Sequence, residues 1–249
     1  MIEVKNLFKS YDGAFVLNDV SAQFEPGKCN LIIGRSGSGK TVLLKSIAGL
    51  IEVDEGEIWY DDQKFSHLNA TSRQVIRKEM GVLFQGAALF DSLTVEENVL
   101  FPLEMFTDQT REEKLDRANF CLERVRVTGS NALYPAELSG GMKKRVAIAR
   151  AIALNPKYLL CDEPNSGLDP ETGIVIDSLI KELTEEFQMT TIVNSHDMNS
   201  VLEIGDKVIF IFKGCKSWEG SREDILKTDN EALNKFVFAT NMAKQIKEV

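Results

Sequence analysis

The chain has 249 residues, of which 43% are hydrophobic and 27% charged, so it can bury a large core without disulfide staples. Its 29 basic and 38 acidic residues give a formal net charge of −9, which argues against a nucleic-acid binder and against unaided adhesion to anionic lipid. The four cysteines form no C-x-x-C pair and the start, Met1-Ile2-Glu3-Val4-Lys5, has no signal-peptide pattern; apolar runs such as Val208–Phe212 fall far below the ~18–20 residues of a span, so the expectation is a cytosolic chain with no span and no zinc site.

The first segments read as strands: Ile2, Val4 and Leu7 precede a turn at Asp12-Gly13, and Phe15 to Phe24 alternates up to Pro26-Gly27. Cys29 to Ile33 is a short apolar run entering a glycine-rich turn, and Lys40 to Ala48 reads as a helix. Two capping boxes, Thr94 with Glu97 and Thr110 with Glu113, open amphipathic helices, and no strand is expected between about Thr94 and Val127. Ser139 caps a helix running to about Leu154, which Asn155-Pro156 stops.

Strands then alternate with helices: strand Tyr158–Cys161, a helix from Glu171, strand Thr190–Asn194, a helix after His196 and strand Lys207–Phe212. Such alternation predicts an α/β chain with a mostly parallel sheet covered on both faces. Thr228 to Val249 reads as a terminal helix with apolar positions Leu233, Phe236, Val237, Met242 and Ile246.

Gly34-Arg35-Ser36-Gly37-Ser38-Gly39-Lys40-Thr41 fits G-x-x-x-x-G-K-[ST] between a predicted strand and a predicted helix. Glycines let successive backbone N–H groups face one anion, and the helix adds its positive end. Lys40 then reaches the β- and γ-phosphates of a nucleotide while the Thr41 hydroxyl ligates Mg²⁺. Tyr158-Leu159-Leu160-Cys161-Asp162-Glu163 delivers two carboxylates at a strand end. Asp162 is placed to bind the magnesium shell, and Glu163, on the opposite face by strand alternation, to polarise water. Leu138-Ser139-Gly140-Gly141-Met142 opens a helix with a second anion site made of backbone N–H groups.

With this third element the chain resembles the ATPase subunits of ABC transporters, from Met1 to about Arg222. The resemblance implies a P-loop NTPase of the ABC ATPase type: a mostly parallel central sheet, an antiparallel β subdomain on the N-terminal side, and a helical insertion at about residues 87–155. The ATPase domain is expected over residues 1–227, with a C-terminal helical extension over 228–249.

The resemblance also implies head-to-tail homodimers, in which Ser139, Gly140 and Gly141 of one copy cap the ATP held by the other's phosphate loop. Tyr11 matches the aromatic that stacks on adenine, and Gln85 the glutamine that senses Mg²⁺ and the γ-phosphate. Asp169, in Ser166-Gly167-Leu168-Asp169, matches the acid of the loop crossing the dimer interface, and His196 the switch histidine on the γ-phosphate. The expected cofactors are ATP and Mg²⁺. The catalytic set is Glu163, His196, Lys40 and Gln85, and the metal set is Thr41, Gln85 and Asp162.

Met142 stands where many members of the family have Gln. It removes one polar group near the partner's nucleotide but leaves the Ser139 hydroxyl and the glycine N–H groups.

Phe84–Val95, the Met in Leu138–Met142, the run Lys143-Lys144-Arg145 and the tail from Asn230 to Ala239 resemble the Mla-type branch, which moves phospholipid between bacterial membranes. That branch implies integral-membrane permease subunits, MCE-domain and small regulatory subunits as partners, and a place on the cytoplasmic face of the inner membrane, held there by the permease. Residues Ala87 to Phe106 are the expected permease-docking groove, and the tail is expected to pack on a partner chain. The open alternatives are the ATPase of an amino-acid importer or lipoprotein exporter, a soluble ABC ATPase outside transport, and a module that binds ATP without hydrolysing it.

Overall fold

The computed structural model describes residues 1–237. The chain opens with β1 (Ile2–Tyr11) and β2 (Ala14–Phe24), an antiparallel pair turned by Asp12 and Gly13, both at positive φ as a two-residue hairpin loop requires. β3 (Cys29–Ile33) runs into the phosphate loop and α1 (Lys40–Ile47). β4 (Glu55–Tyr60) and β5 (Gln63–Lys64) complete a four-stranded sheet of order β2-β1-β4-β5, the expected antiparallel subdomain. α2 (Ala70–Lys78), capped by the Asn69 side chain, leads to β6 (Met80–Leu83).

α3 (Val95–Phe106) and α4 (Arg111–Arg124) form the helical insertion, and both predicted capping boxes are present. α5 (Gly140–Ile152) follows, with Ser139 as its cap. β7 (Tyr158–Asp162), α6 (Pro170–Phe187), β8 (Thr190–Ser195), α7 (Met198–Ile204) and β9 (Lys207–Phe212) alternate as predicted. β10 (Cys215–Gly220), α8 (Arg222–Ile225) and α9 (Glu231–Val237) close the described chain.

The second sheet has order β10-β9-β3-β8-β7-β6, parallel except for β10 against β9. β3, β7 and β8 are buried at every position, the signature of strands covered on both faces. Alternate residues of β3 divide two cores. Leu31 and Ile33 face the helices, with Val99, Ile148 and Ile180, whereas Ile32 joins Leu43, Ile47 and the inner face of the antiparallel sheet. The register pairs Ile33 with Ser195, Asp162 with Asn194, and Leu83 with Cys161. The carboxyl ends of four neighbouring strands therefore finish level, and the loops after β3, β6, β7 and β8 share one rim, the place where open α/β sheets bind ligands.

Several elements were not anticipated, among them β4, β5, β10 and α2. β4 and β5 are short and β10 is an edge strand of half-buried residues, so none carries a strong period-two pattern. α2 buries only Ile76.

The start of the tail is seated on this chain. Leu233 and Val237 are buried in this chain's own larger core, and the Phe236 ring lies 5.5 Å from that of Phe210 on β9. Asn230 Nδ2 donates to the Ser217 carbonyl at 2.9 Å, stitching the tail to β10. The described part of the tail packs on its own cassette. Phe238, Met242 and Ile246 lie outside the described residues.

Candidate functional site

The phosphate loop is held in place by its neighbours. A Cβ on Gly34 would stand 2.4 Å from the Ile211 carbonyl oxygen, so only glycine fits there. The Gly214 N–H donates to the Ser38 carbonyl at 3.1 Å, clamping the loop from the β9–β10 turn. Gly37, at φ +77°, has open space where a side chain would be, leaving its backbone free to face an anion. Lys40 is buried and folds back, its Nζ donating to the carbonyls of Gly34 at 2.9 Å and Arg35 at 3.2 Å. Burial holds the Lys40 ammonium below the usual lysine range, and the Glu163 and Asp162 carboxylates push the other way.

Opposite the loop, the Thr41 hydroxyl donates to Asp162 Oδ1 at 3.1 Å, and Asn194 Nδ2 donates to the same oxygen at 3.0 Å. A hydroxyl and a carboxylate converging in this way are hard oxygen donors of the kind Mg²⁺ takes, with phosphates and water completing its shell. Two of the buried polar atoms that have no protein partner among the described residues lie here, Ser38 Oγ in the loop and Asn194 Oδ1 beside Asp162. Both suit a phosphate chain with a hydrated cation, a donor for the first and an acceptor for the water of the second. The donor set therefore fits Mg²⁺ and a triphosphate.

Glu163 does not obey the alternation predicted for it. It lies one residue beyond β7, at φ 47°, a left-handed backbone that strains a residue with a Cβ. That turn brings its carboxylate onto the same rim as Asp162. Gln85 Nε2 donates to Glu163 Oε2 at 3.2 Å, and His196 Nδ1 lies 3.1 Å from Glu163 Oε1. Lys40, Thr41, Gln85, Asp162, Glu163 and His196 thus form one constellation.

The remaining predicted residues lie in two other places. Ser139 caps α5 through the Met142 N–H at 3.2 Å, while a Cβ on Gly141 would meet Thr172 Cγ2 at 2.6 Å, so the glycines permit close packing against the start of α6. Asp169 caps that helix, accepting from the Thr172 N–H at 2.9 Å and its hydroxyl at 2.6 Å, which holds its carboxyl below the usual range. Ser139, Gly140, Gly141 and Asp169 form an assembly of their own. Tyr11 is exposed at the end of β1, with the Lys9 ammonium 5.3 Å from its ring centre.

Several residues in the site escaped sequence reasoning. Lys144, in the basic run Lys143-Lys144-Arg145, is only 5% exposed and donates through Nζ to the Gln85 carbonyl and, at 3.4 Å, to the Glu163 carbonyl. Its spacing of four from Ile148 and eight from Ile152, both buried, is the signal that places it inward. Burial pushes its ammonium below the usual range.

Arg150 donates to the carbonyls of Ala88 at 2.8 Å and Ala87 at 3.0 Å, and these two alanines are both at positive φ. Asn98 accepts from the Phe90 N–H at 2.8 Å and donates to the Phe90 carbonyl, fixing the far end of the same loop. Asn194 was readable as a polar residue closing an apolar strand.

Residues 17–166 match the ABC transporter family. The intermembrane phospholipid transport system ATP-binding protein MlaF of Haemophilus influenzae is 40% identical over 95% of this chain and 90% of its own length. The methionine import ATP-binding protein MetN of Clostridioides difficile is also 40% identical, over 95% of this chain and 74% of its own length. A probable ribonucleotide transport ATP-binding protein of Mycobacterium leprae is 35% identical over 95% of this chain and 68% of its own length. Among solved structures, a dimeric ATP-binding cassette in a post-hydrolysis state bound to ADP and Pi is 34% identical with a TM-score of 0.82, covering 89% of this chain and 99% of that one. With a family match over more than half of its length and these similarities to known cassettes, the chain belongs to the ABC transporter family as an ATP-binding cassette with ATPase activity.

Proposed function

We propose that this chain energises phospholipid transport between bacterial membranes, hydrolysing ATP at the interface of two copies docked on a permease. The observation that carries the hydrolytic part is Glu163, whose two carboxylate oxygens are taken by Gln85 and His196 on the rim that also holds Lys40, Thr41 and Asp162. For turnover, the Lys40 ammonium exchanges its two loop carbonyls for the β- and γ-phosphates, and Glu163 exchanges a neighbour for the attacking water, which it orients or deprotonates. Gln85 and His196 hold Glu163 until then and meet the γ-phosphate end afterwards. Bound magnesium supplies charge neutralisation of the phosphates, with Thr41, Asp162 and Gln85 as its protein contacts. Tyr11 offers a face for the adenine ring.

The α5 N-terminus, with Ser139, Gly140 and Gly141, is a second anion site that one nucleotide in one chain leaves unused. A second copy brings it, together with Asp169, to the partner's triphosphate, and the dimeric state of the similar cassettes supports that arrangement. In this reading residues 1–227 form the ATPase domain, with the helical insertion at about 87–155, and 228–249 form the extension.

No helix among the described residues is long and apolar enough to cross a membrane, so lipid work falls to other subunits. Residues 87–106 supply the docking surface, with Phe90, Phe101, Met105 and Phe106 exposed and the Phe90 and Phe101 rings 4.6 Å apart. The permease then holds the chain on the cytoplasmic face of the inner membrane, with MCE-domain and small regulatory subunits in the same complex.

Similarity to MlaF supports phospholipid as the cargo, and equal identity to MetN favours methionine import as the second reading. Co-purification from native membranes with identification of bound proteins and lipids separates them. An MCE-domain protein with phospholipid is expected; a methionine-binding protein in its place overturns the lipid assignment.

A further inference from the structure

Away from the phosphates, three polar side chains meet inside the protein. Asn165, two residues past Glu163, donates from Nδ2 to Asp177 Oδ2 on α6 at 3.1 Å and to Ser200 Oγ on α7 at 2.8 Å. Asp177 is 2% exposed and Ser200 is 1% exposed. The node joins the loop that carries Glu163 to the helix that begins just after His196, and its anchor is the middle of α6.

A buried carboxylate at such a place is costly. Asp177 Oδ1 has no hydrogen-bond partner among the described residues, and burial, with Asp197 and Glu203 nearby, pushes the carboxyl up to about 6. An apolar residue packed into the same space is generally the more stable choice. The carboxylate is thus poorly explained as a stabiliser and better explained by what it aims.

We propose that Asp177 is a positioning residue for ATP hydrolysis: through Asn165 and Ser200 it locks the loop after β7 and the start of α7 to one another, so that Glu163 and His196 keep their mutual register. Neither Asp177 nor Asn165 touches Lys40 or Thr41 in the hydrogen bonds described, so the device acts on turnover and leaves nucleotide binding intact. The inference rests on the ATPase activity of the chain, and a wild type without ATP turnover fails that reading before any variant is compared.

The test uses the full-length chain, with phosphate release and thermal melting measured on the same preparations of Asp177→Leu, Asp177→Asn and wild type. Asp177→Leu should melt at or above the wild-type temperature, lose about tenfold or more in kcat, and keep its KM for ATP within about twofold. Asp177→Asn, whose amide oxygen can still accept from Asn165, should recover most of that kcat. An Asp177→Leu kcat within about twofold of wild type overturns the proposal. So does a kcat loss that comes with a lowered melting temperature, a raised KM or no recovery in Asp177→Asn, since those mark a merely structural residue.

Discussion

Glu163 Oε1 stands 3.1 Å from His196 Nδ1, across the ends of two neighbouring parallel strands. Facing a carboxylate, Nδ1 carries the proton, which leaves Nε2 as the ring's outer nitrogen. The contact holds the Glu163 carboxylate in place, and in the proposed reaction the same histidine releases it.

Glu163→Gln keeps the size of the side chain and removes its basicity. ATP binding, measured by equilibrium titration, should stay within about threefold of wild type, while phosphate release falls by ~10²–10⁴-fold. Wild-type-like turnover in this variant removes Glu163 from its role.

Lys144→Met withdraws the buried ammonium from the carbonyls of Gln85 and Glu163. Each carbonyl loses a charged donor, so unfolding free energy should fall by about 1–3 kcal/mol and the Gln85 segment should exchange its amide hydrogens faster. Turnover should fall about tenfold or more, because two catalytic loops lose one common anchor. Unchanged exchange at the Gln85 segment counts against this reading.

Asp177 gives a pH signature. Its carboxyl rises from an ordinary 3.8 to about 6, first because it is buried and further because Asp197 and Glu203 are near, while Ser200 and Asn165 pull it back. Between those values the folded chain holds a proton that the unfolded chain has lost, so this group's contribution to stability falls as pH rises from 3.8 through about 6. Asp177→Asn should therefore be more stable than wild type by about 2 kcal/mol at pH 8, with the gain vanishing below about pH 4. Denaturant melts across that range measure it; a gain independent of pH rules the titration out.

Phe101→Glu places a charge on the exposed aromatic surface beside Phe90. Phosphate release by the isolated chain should stay within about twofold, while capture of the membrane subunits drops by about tenfold or more. Undiminished capture defeats the docking assignment.

Much of this was legible because local chemistry and fold agreed. The two Thr–Glu capping boxes, the Ser139 cap and the G-x-x-x-x-G-K-T run each specify backbone geometry within a few residues, and each was found in place. What stayed hidden depended on distant partners. The spacing of Lys144 from Ile148 and Ile152 marks its inward face, but the carbonyl 59 residues away that receives it leaves no trace in the sequence around it. Glu163 escaped the alternation rule because β7 ends at Asp162 and the backbone then turns left-handed. Asn165, Asp177 and Ser200 come from three segments whose meeting only the tertiary structure reveals.

The seat of Phe236 against Phe210 carries a practical lesson for anyone trimming the gene. Phe210 sits on β9, directly alongside β3, the strand that launches the phosphate loop. A stop codon placed before Glu231 would strip Leu233, Phe236 and Val237 from the core around Phe210 and leave a sticky product, so expression trials are best begun with this helix kept.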